Sequence, residues 1–232
     1  AYPENDAKYA KLAMAALQEN ANIMPFYTRN WLSMSSFNNI ILVAEKNIER
    51  RRELINQSMG YLERAENLSP NRQEVFTERL NLYFYGENYD SLAKISQECI
   101  DESPNFTACY WYLGLAKIYQ SKDKAMLDEG KKYIEKAQEM GYINFSPYPL
   151  TQLAFLFLKK ENYQELEWVY ERLTQYAIPR PKYFAGLAII YKKNGKPEKS
   201  ANALKSILAI QLDPINIRDG WVETDKTITL LI

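Results

Sequence analysis

Leu68-Ser69-Pro70-Asn71 returns 34 residues later as Glu102-Ser103-Pro104-Asn105, and each copy closes a stretch of apolar residues at helical spacing. Proline cannot extend a helix, so it stops one and sets the chain up for the next. Working outward, Gly86-Glu87-Asn88-Tyr89-Asp90-Ser91-Leu92 recurs as Lys160-Glu161-Asn162-Tyr163-Gln164-Glu165-Leu166, two such periods on with six residues inserted. One more period carries Tyr163 to Pro197, in the turn Asn194-Gly195-Lys196-Pro197. A fixed period of this length marks a stack of small units, none able to bury its apolar faces alone. The spacing predicts an all-α fold, a right-handed α-solenoid of helix hairpins with about 10–12 helices.

Composition agrees and removes several kinds of chemistry. In 232 residues, 47% are hydrophobic and 25% charged, an ordinary globular balance, while 8 Gly and 10 Pro are too few for many short strands. Lys+Arg and Asp+Glu stand at 29 each, so the chain lacks the excess positive charge that nucleic-acid binding needs. Its strongest basic cluster, Glu49-Arg50-Arg51-Arg52, reads as a solvated helix face rather than a phosphate site. The absence of histidine excludes Ser-His-Asp and Cys-His catalysis and histidine-ligated zinc. Asp101-Glu102, Asp128-Glu129 and Glu165/Glu167 fall on polar faces or helix ends and read as solvated surface rather than acid/base pairs. Cys99 and Cys109 are too few for a zinc cluster, and the expectation is two core thiols rather than a disulfide or redox site. No stretch reaches the ~20 apolar residues of a membrane span. The chain is therefore expected to be non-catalytic, with no cofactor, no metal and no nucleic-acid partner.

The period and its residues resemble the tetratricopeptide repeat, which wants small residues at positions 8, 20 and 27 and proline at 32. Phe76, Leu80, Tyr83, Leu92 and Cys99 occupy these and the large positions of one unit; Tyr110, Gly114, Ala116, Gly130, Ile134 and Ala137 those of the next. A third unit runs from Pro147 and a fourth from near Pro181, while Ser58, Leu62, Ala65 and Pro70 fit the second helix of an earlier one. About four extra residues at 121–127 are expected to lengthen one inter-helix turn. Three segments follow: irregular N-terminal helices at 1–48, the repeats at 49–214 and a C-terminal capping segment at 215–232. Within the first, residues 6–22 read as a helix begun by an Asp6 cap and 25–48 as a longer one.

In such stacks the first helix of each hairpin lines a ligand groove. The resemblance places Asn81, Tyr85, Trp111, Leu115, Tyr119, Tyr148, Thr151, Phe155, Leu158 and Lys159 there, with Tyr112 beside them and Lys182, Ala185, Ile189, Lys192 and Lys193 at a basic far end. Tyr and Trp supply contact area with a polar tip, which suits a protein or peptide partner and also sugar stacking. The alternative is that residues 6–48 fold over the rings and bury them, the commoner fate of an apolar helix stripe. Only Asn81 matches the clamp with which some of these proteins grip a peptide carboxylate, so a chaperone-tail receptor is not expected.

Phe26-Tyr27-Thr28-Arg29-Asn30-Trp31-Leu32, Asn38-Asn39-Ile40-Ile41-Leu42, Leu68 to Glu74, Cys109 to Leu115 and Glu139-Met140-Gly141-Tyr142 together resemble the C-terminal region of O-antigen ligase-like (polymerase/ligase) membrane proteins. That resemblance covers most of residues 20–212. It implies an excised domain on the extracytoplasmic side of a bacterial membrane, trailing a catalytic membrane part in surface-polysaccharide assembly. It carries over no catalytic residue. The partners it implies are proteins of that assembly or the glycan itself; a purely structural spacer is the third reading.

Overall fold

The computed structural model describes residues 3–142, 148–175 and 180–211, and among them are eleven α-helices and no strand. The fold is an all-α solenoid of helix hairpins, in two compact units, Ala1–Tyr142 and Ile143–Ile232. The expected capping segment 215–232 lies outside the described residues.

The first unit holds α1 (Pro3–Ile23), α2 (Thr28–Ala44), α3 (Ile48–Leu68), α4 (Gln73–Tyr85), α5 (Tyr89–Glu102), α6 (Thr107–Gln120) and α7 (Lys124–Glu139). Helices α2 and α3, α4 and α5, and α6 and α7 pack as hairpins; α2 also packs on α4, and α4 on α6. First helices therefore meet first helices along the stack. The expected boundary at residue 48 falls inside the α2–α3 hairpin, so α2 is itself a first helix of the stack. Asp6 lies within α1 rather than capping it, because the helix is already under way at Pro3. The second N-terminal helix stops at Ala44 rather than 48. There the Glu45 carboxylate accepts the Lys46 and Asn47 N–H groups, and Asn47 Oδ1 accepts from Arg50 N to start α3.

The repeated motif is explained by its turns. Glu87 and Glu161, at the same repeat position, both take positive φ (61° and 53°), and Gly195, one period further, takes 71°. The next residue, Asn88 or Asn162, then caps the following helix with its side-chain oxygen. The extra residues at 121–127 do not lengthen the turn, which is only Ser121–Asp123; they extend α7, capped by Asp123. Arg50 and Arg52 pair with Glu53 and Glu49 on the solvated face, as the sequence indicates. Arg51 departs from it: its guanidinium donates to the Leu42 and Tyr85 carbonyls, satisfying the ends of α2 and α4 at once. At the α6–α7 contact a Cβ on Gly114 would meet the Gly130 carbonyl oxygen at 2.9 Å, so the small residues set how closely these helices approach.

Cys99 and Cys109 form a disulfide, with their Cα atoms 6.1 Å apart. This corrects the expectation of two core thiols. Ser103 N bonds to Cys99 O and Phe106 N to Ser103 O, a tight turn that folds the end of α5 onto the start of α6.

The second unit holds α8 (Tyr148–Lys159), α9 (Tyr163–Leu173), α10 (Pro181–Lys193) and α11 (Pro197–Gln211). Helix α9 packs against both α8 and α10, and α10 against α11. Leu153, Leu156, Phe157, Leu166 and Val169 form its dry interior. Glu167 ties the α10–α11 turn to α9, accepting from Lys196 Nζ at 2.7 Å and Asn194 Nδ2 at 2.9 Å. Burial works against its charge, yet these two donors hold the carboxyl below the ordinary range.

Candidate functional site: an aromatic core and an apolar cleft

The groove residues of the first unit sit in the interior. Trp111, Tyr112 and Leu115 are no more than 1% exposed, and Asn81 is buried with them. Trp111 lies tilted against Tyr142, ring centroids 5.6 Å apart. Tyr112 meets the edge of Phe84 and donates its hydroxyl to Asn81 Oδ1. Tyr119 is half-buried and stacks on Tyr89 at 3.6 Å, while Tyr85, also half-buried, meets the edge of Phe84. These ring contacts come from α4, α5 and Tyr142; α1 packs on α2, and α2 on α3 and α4. Trp111 and Tyr112 are thus core, Tyr112 against α4 and Trp111 against Tyr142. Neither offers a ring face to a ligand.

A polar chain that repeat positions did not reveal runs from the half-buried Glu78 into this interior. Asn39 Nδ2 on α2 and Asn81 Nδ2 on α4 donate to the two oxygens of Glu78, at 3.3 and 3.4 Å. Tyr112 continues it from α6, and Tyr142 bonds to Tyr112. Burial pushes the Glu78 carboxyl from 4.5 up to about 7, against the pull of the two amides, and pushes the Tyr142 hydroxyl up to about 12.

The sign of the resulting pH effect follows from proton counting. Between the two values of Glu78 the folded chain holds a proton that the unfolded chain releases, so stability falls as pH rises from 4.5 to about 7. Glu78→Gln is expected to abolish this fall, on the order of 2 kcal/mol. Urea unfolding of both chains at pH 5 and pH 8 measures it. Parallel pH dependence in the two would refute the assignment.

The second unit carries an open site. Between α8 and α10, floored by α9, lies a cleft of about 380 Å³, at the lower end of the size range of ligand sites. Thr151, Phe155 and Leu158 line it from α8, Tyr163 and Tyr170 from α9, and Tyr183 and Ile189 from α10. Phe155 is 44% exposed and Leu158 56%. Gly186 shapes the floor: a Cβ there would come within 2.2 Å of the Tyr170 ring, which occupies that space instead. Of the residues the groove pattern placed here, Thr151, Phe155, Leu158 and Ile189 come together in the cleft. Tyr148 opens α8, but its side chain lies outside the described residues. Tyr163 and Tyr170 were missed as site residues because the repeat pattern reads large residues at their positions as packing, and Tyr183 falls at no position that the pattern assigns. Among the described residues, no group of acidic, Cys or His side chains could hold a metal, and no helix is long and apolar enough to cross a membrane.

No family model matches this chain, and no curated protein matches it in sequence. Among solved structures it is similar to a thermophilic tetratricopeptide-repeat protein of Thermus thermophilus, at 13% identity and a TM-score of 0.50, over 85% of this chain and 100% of that one. The likeness shows the fold. It is also similar to pilF of Pseudomonas aeruginosa, at 13% identity and a TM-score of 0.49, over 97% of this chain and 96% of that one. Neither comparison reaches O-antigen ligases, and neither bears on what fills the cleft.

Proposed function

We propose that this chain is a non-catalytic protein-interaction scaffold whose docking face is the α8–α10 cleft. The observation that carries this is the exposure of Phe155 and Leu158 on a concave, apolar surface, where a monomeric fold would otherwise keep such side chains inside. The aromatic stripe of the first unit lends no support to glycan stacking, since Trp111 and Tyr112 have no accessible face. Screening the full chain against a random peptide display library and a glycan array tests the reading. Peptides are expected to be enriched, and to lose binding to Ile189→Glu, a change at a half-exposed cleft position that the fold tolerates. Glycans retained with no peptide enriched would reverse it.

The setting we propose is the extracytoplasmic side of a bacterial membrane, as part of an O-antigen ligase-like protein. The Cys99–Cys109 disulfide supports an oxidising compartment, where such bonds form and persist. Thiol labelling of protein isolated from its native cells tests this: both cysteines should resist label until reduced, and immediate labelling would place the chain in a reducing compartment.

A further inference from the structure

The cleft also carries information about what it takes. Its lining contains no charged side chain. A lysine stands at either end of α10: Lys182 Nζ lies 5.7 Å from the Tyr183 ring centroid, and Lys193 Nζ lies 5.7 Å from that of Tyr163. Both tyrosines line the cleft, so the two ammonium groups flank it. They are separated by eleven residues of helix, roughly 16 Å along the axis. Neither forms an ion pair among the described residues. The carboxylates of α9 that face α10 and α11 are engaged elsewhere: Glu167 by Lys196 and Asn194, and Glu171 by the Tyr191 hydroxyl. From Tyr148 to Gln211 the chain carries ten basic and five acidic residues, against a net charge of zero for the whole. Lys182 and Lys193 thus flank an uncharged, aromatic depression.

Resting on the scaffold reading above, we propose that the cleft takes an acidic protein segment with one large apolar side chain. That side chain enters among Phe155, Tyr170 and Ile189, and carboxylates on either side of it meet Lys182 and Lys193. An extended chain covers the interval between the two cations in about five residues. A fatty acid shares the pairing of apolar body and anion but has only one charged end, so it satisfies one lysine and leaves the other. Desolvated aromatic pockets supply most of the affinity at such sites, and flanking charges set orientation and encounter rate.

The test uses the full chain and three short synthetic peptides, followed by fluorescence polarisation. One has a central Trp flanked by Glu and Asp, one the same Trp flanked by Lys, and one an Ala in place of the Trp with acidic flanks. The first is expected to bind, with affinity that weakens as salt rises. The other two are expected to bind at least about tenfold more weakly. Lys182→Glu/Lys193→Glu, both at exposed positions, should reverse the preference between acidic and basic flanks while leaving the circular dichroism spectrum unchanged. Equal binding of acidic and basic peptides, or an unchanged preference in the double variant, would overturn the proposal. So would dodecanoate competing with higher affinity than the acidic peptide. Library peptides that need Ile189 but carry no acidic residues would leave the scaffold reading standing and remove this one; a library that yields nothing removes both.

Discussion

Trp111→Ala is expected to lower the free energy of unfolding by about 3–5 kcal/mol, the loss typical of a large aromatic removed from a packed interior. The indole is wholly buried on α6, with Tyr142 against it. Deleting it removes the apolar area and leaves a void that close-packed surroundings only partly fill. Natural domains have only about 5–15 kcal/mol in hand, so the first unit should be visibly weakened. Phe155→Ala provides the contrast. That ring is 44% exposed at the cleft, and its removal should cost well under half as much while weakening peptide binding. Urea unfolding followed by circular dichroism reads the first effect and fluorescence polarisation the second. A loss below about 1 kcal/mol at Trp111 would mean the ring is not part of the interior, and the groove reading of the first unit would return.

The contrast between these two residues shows how far the sequence could be read. Both fall at the groove positions of their repeat, so spacing treats them alike. The hairpin period, the turn at Glu87-Asn88 and its copy at Glu161-Asn162 are local features: helix caps, a positive-φ residue and a stop signal all act within a few positions. They were legible for that reason. Whether a groove ring stays open depends on which residue faces it from another helix, and that is not a local property. Trp111 meets Tyr142, which no repeat position assigns, whereas Phe155 lines the cleft between α8 and α10 and stays 44% exposed. Glu78 was invisible for the same reason. An acidic residue on a helix reads as solvated unless the amides that face it, here Asn39 and Asn81 on α2 and α4, are known to converge. The small residues Gly114 and Gly130 were legible as close-contact positions; the space that Gly186 leaves for Tyr170 was not, since it depends on one rotamer across the helix pair.

The Cys99–Cys109 bond is where the sequence reading went wrong, and its removal is the second large effect expected. Only ten residues separate the two cysteines, and the bond ties the second helix of one hairpin to the first helix of the next. Closing so short a loop removes chain entropy from the unfolded state, worth about 3 kcal/mol in the loop-entropy account. Cys99→Ala/Cys109→Ala should lose about that much, with little added cavity cost because each change deletes a single sulfur. Dithiothreitol should lower the unfolding midpoint of the wild type towards that of the double variant and leave the variant where it is. A midpoint in the wild type that ignores the reductant would mean the cysteines are thiols in solution, restoring the sequence expectation and withdrawing the support for an oxidising compartment. The location matters as much as the size of the effect. Each hairpin in such a stack is held mainly by its neighbours, so a covalent link at a junction stabilises the interface rather than either hairpin alone. Reduction should therefore loosen the α5–α6 junction first, and hydrogen exchange should quicken at the amides of Ser103 and Phe106 before it quickens in the middle of α5 or α6.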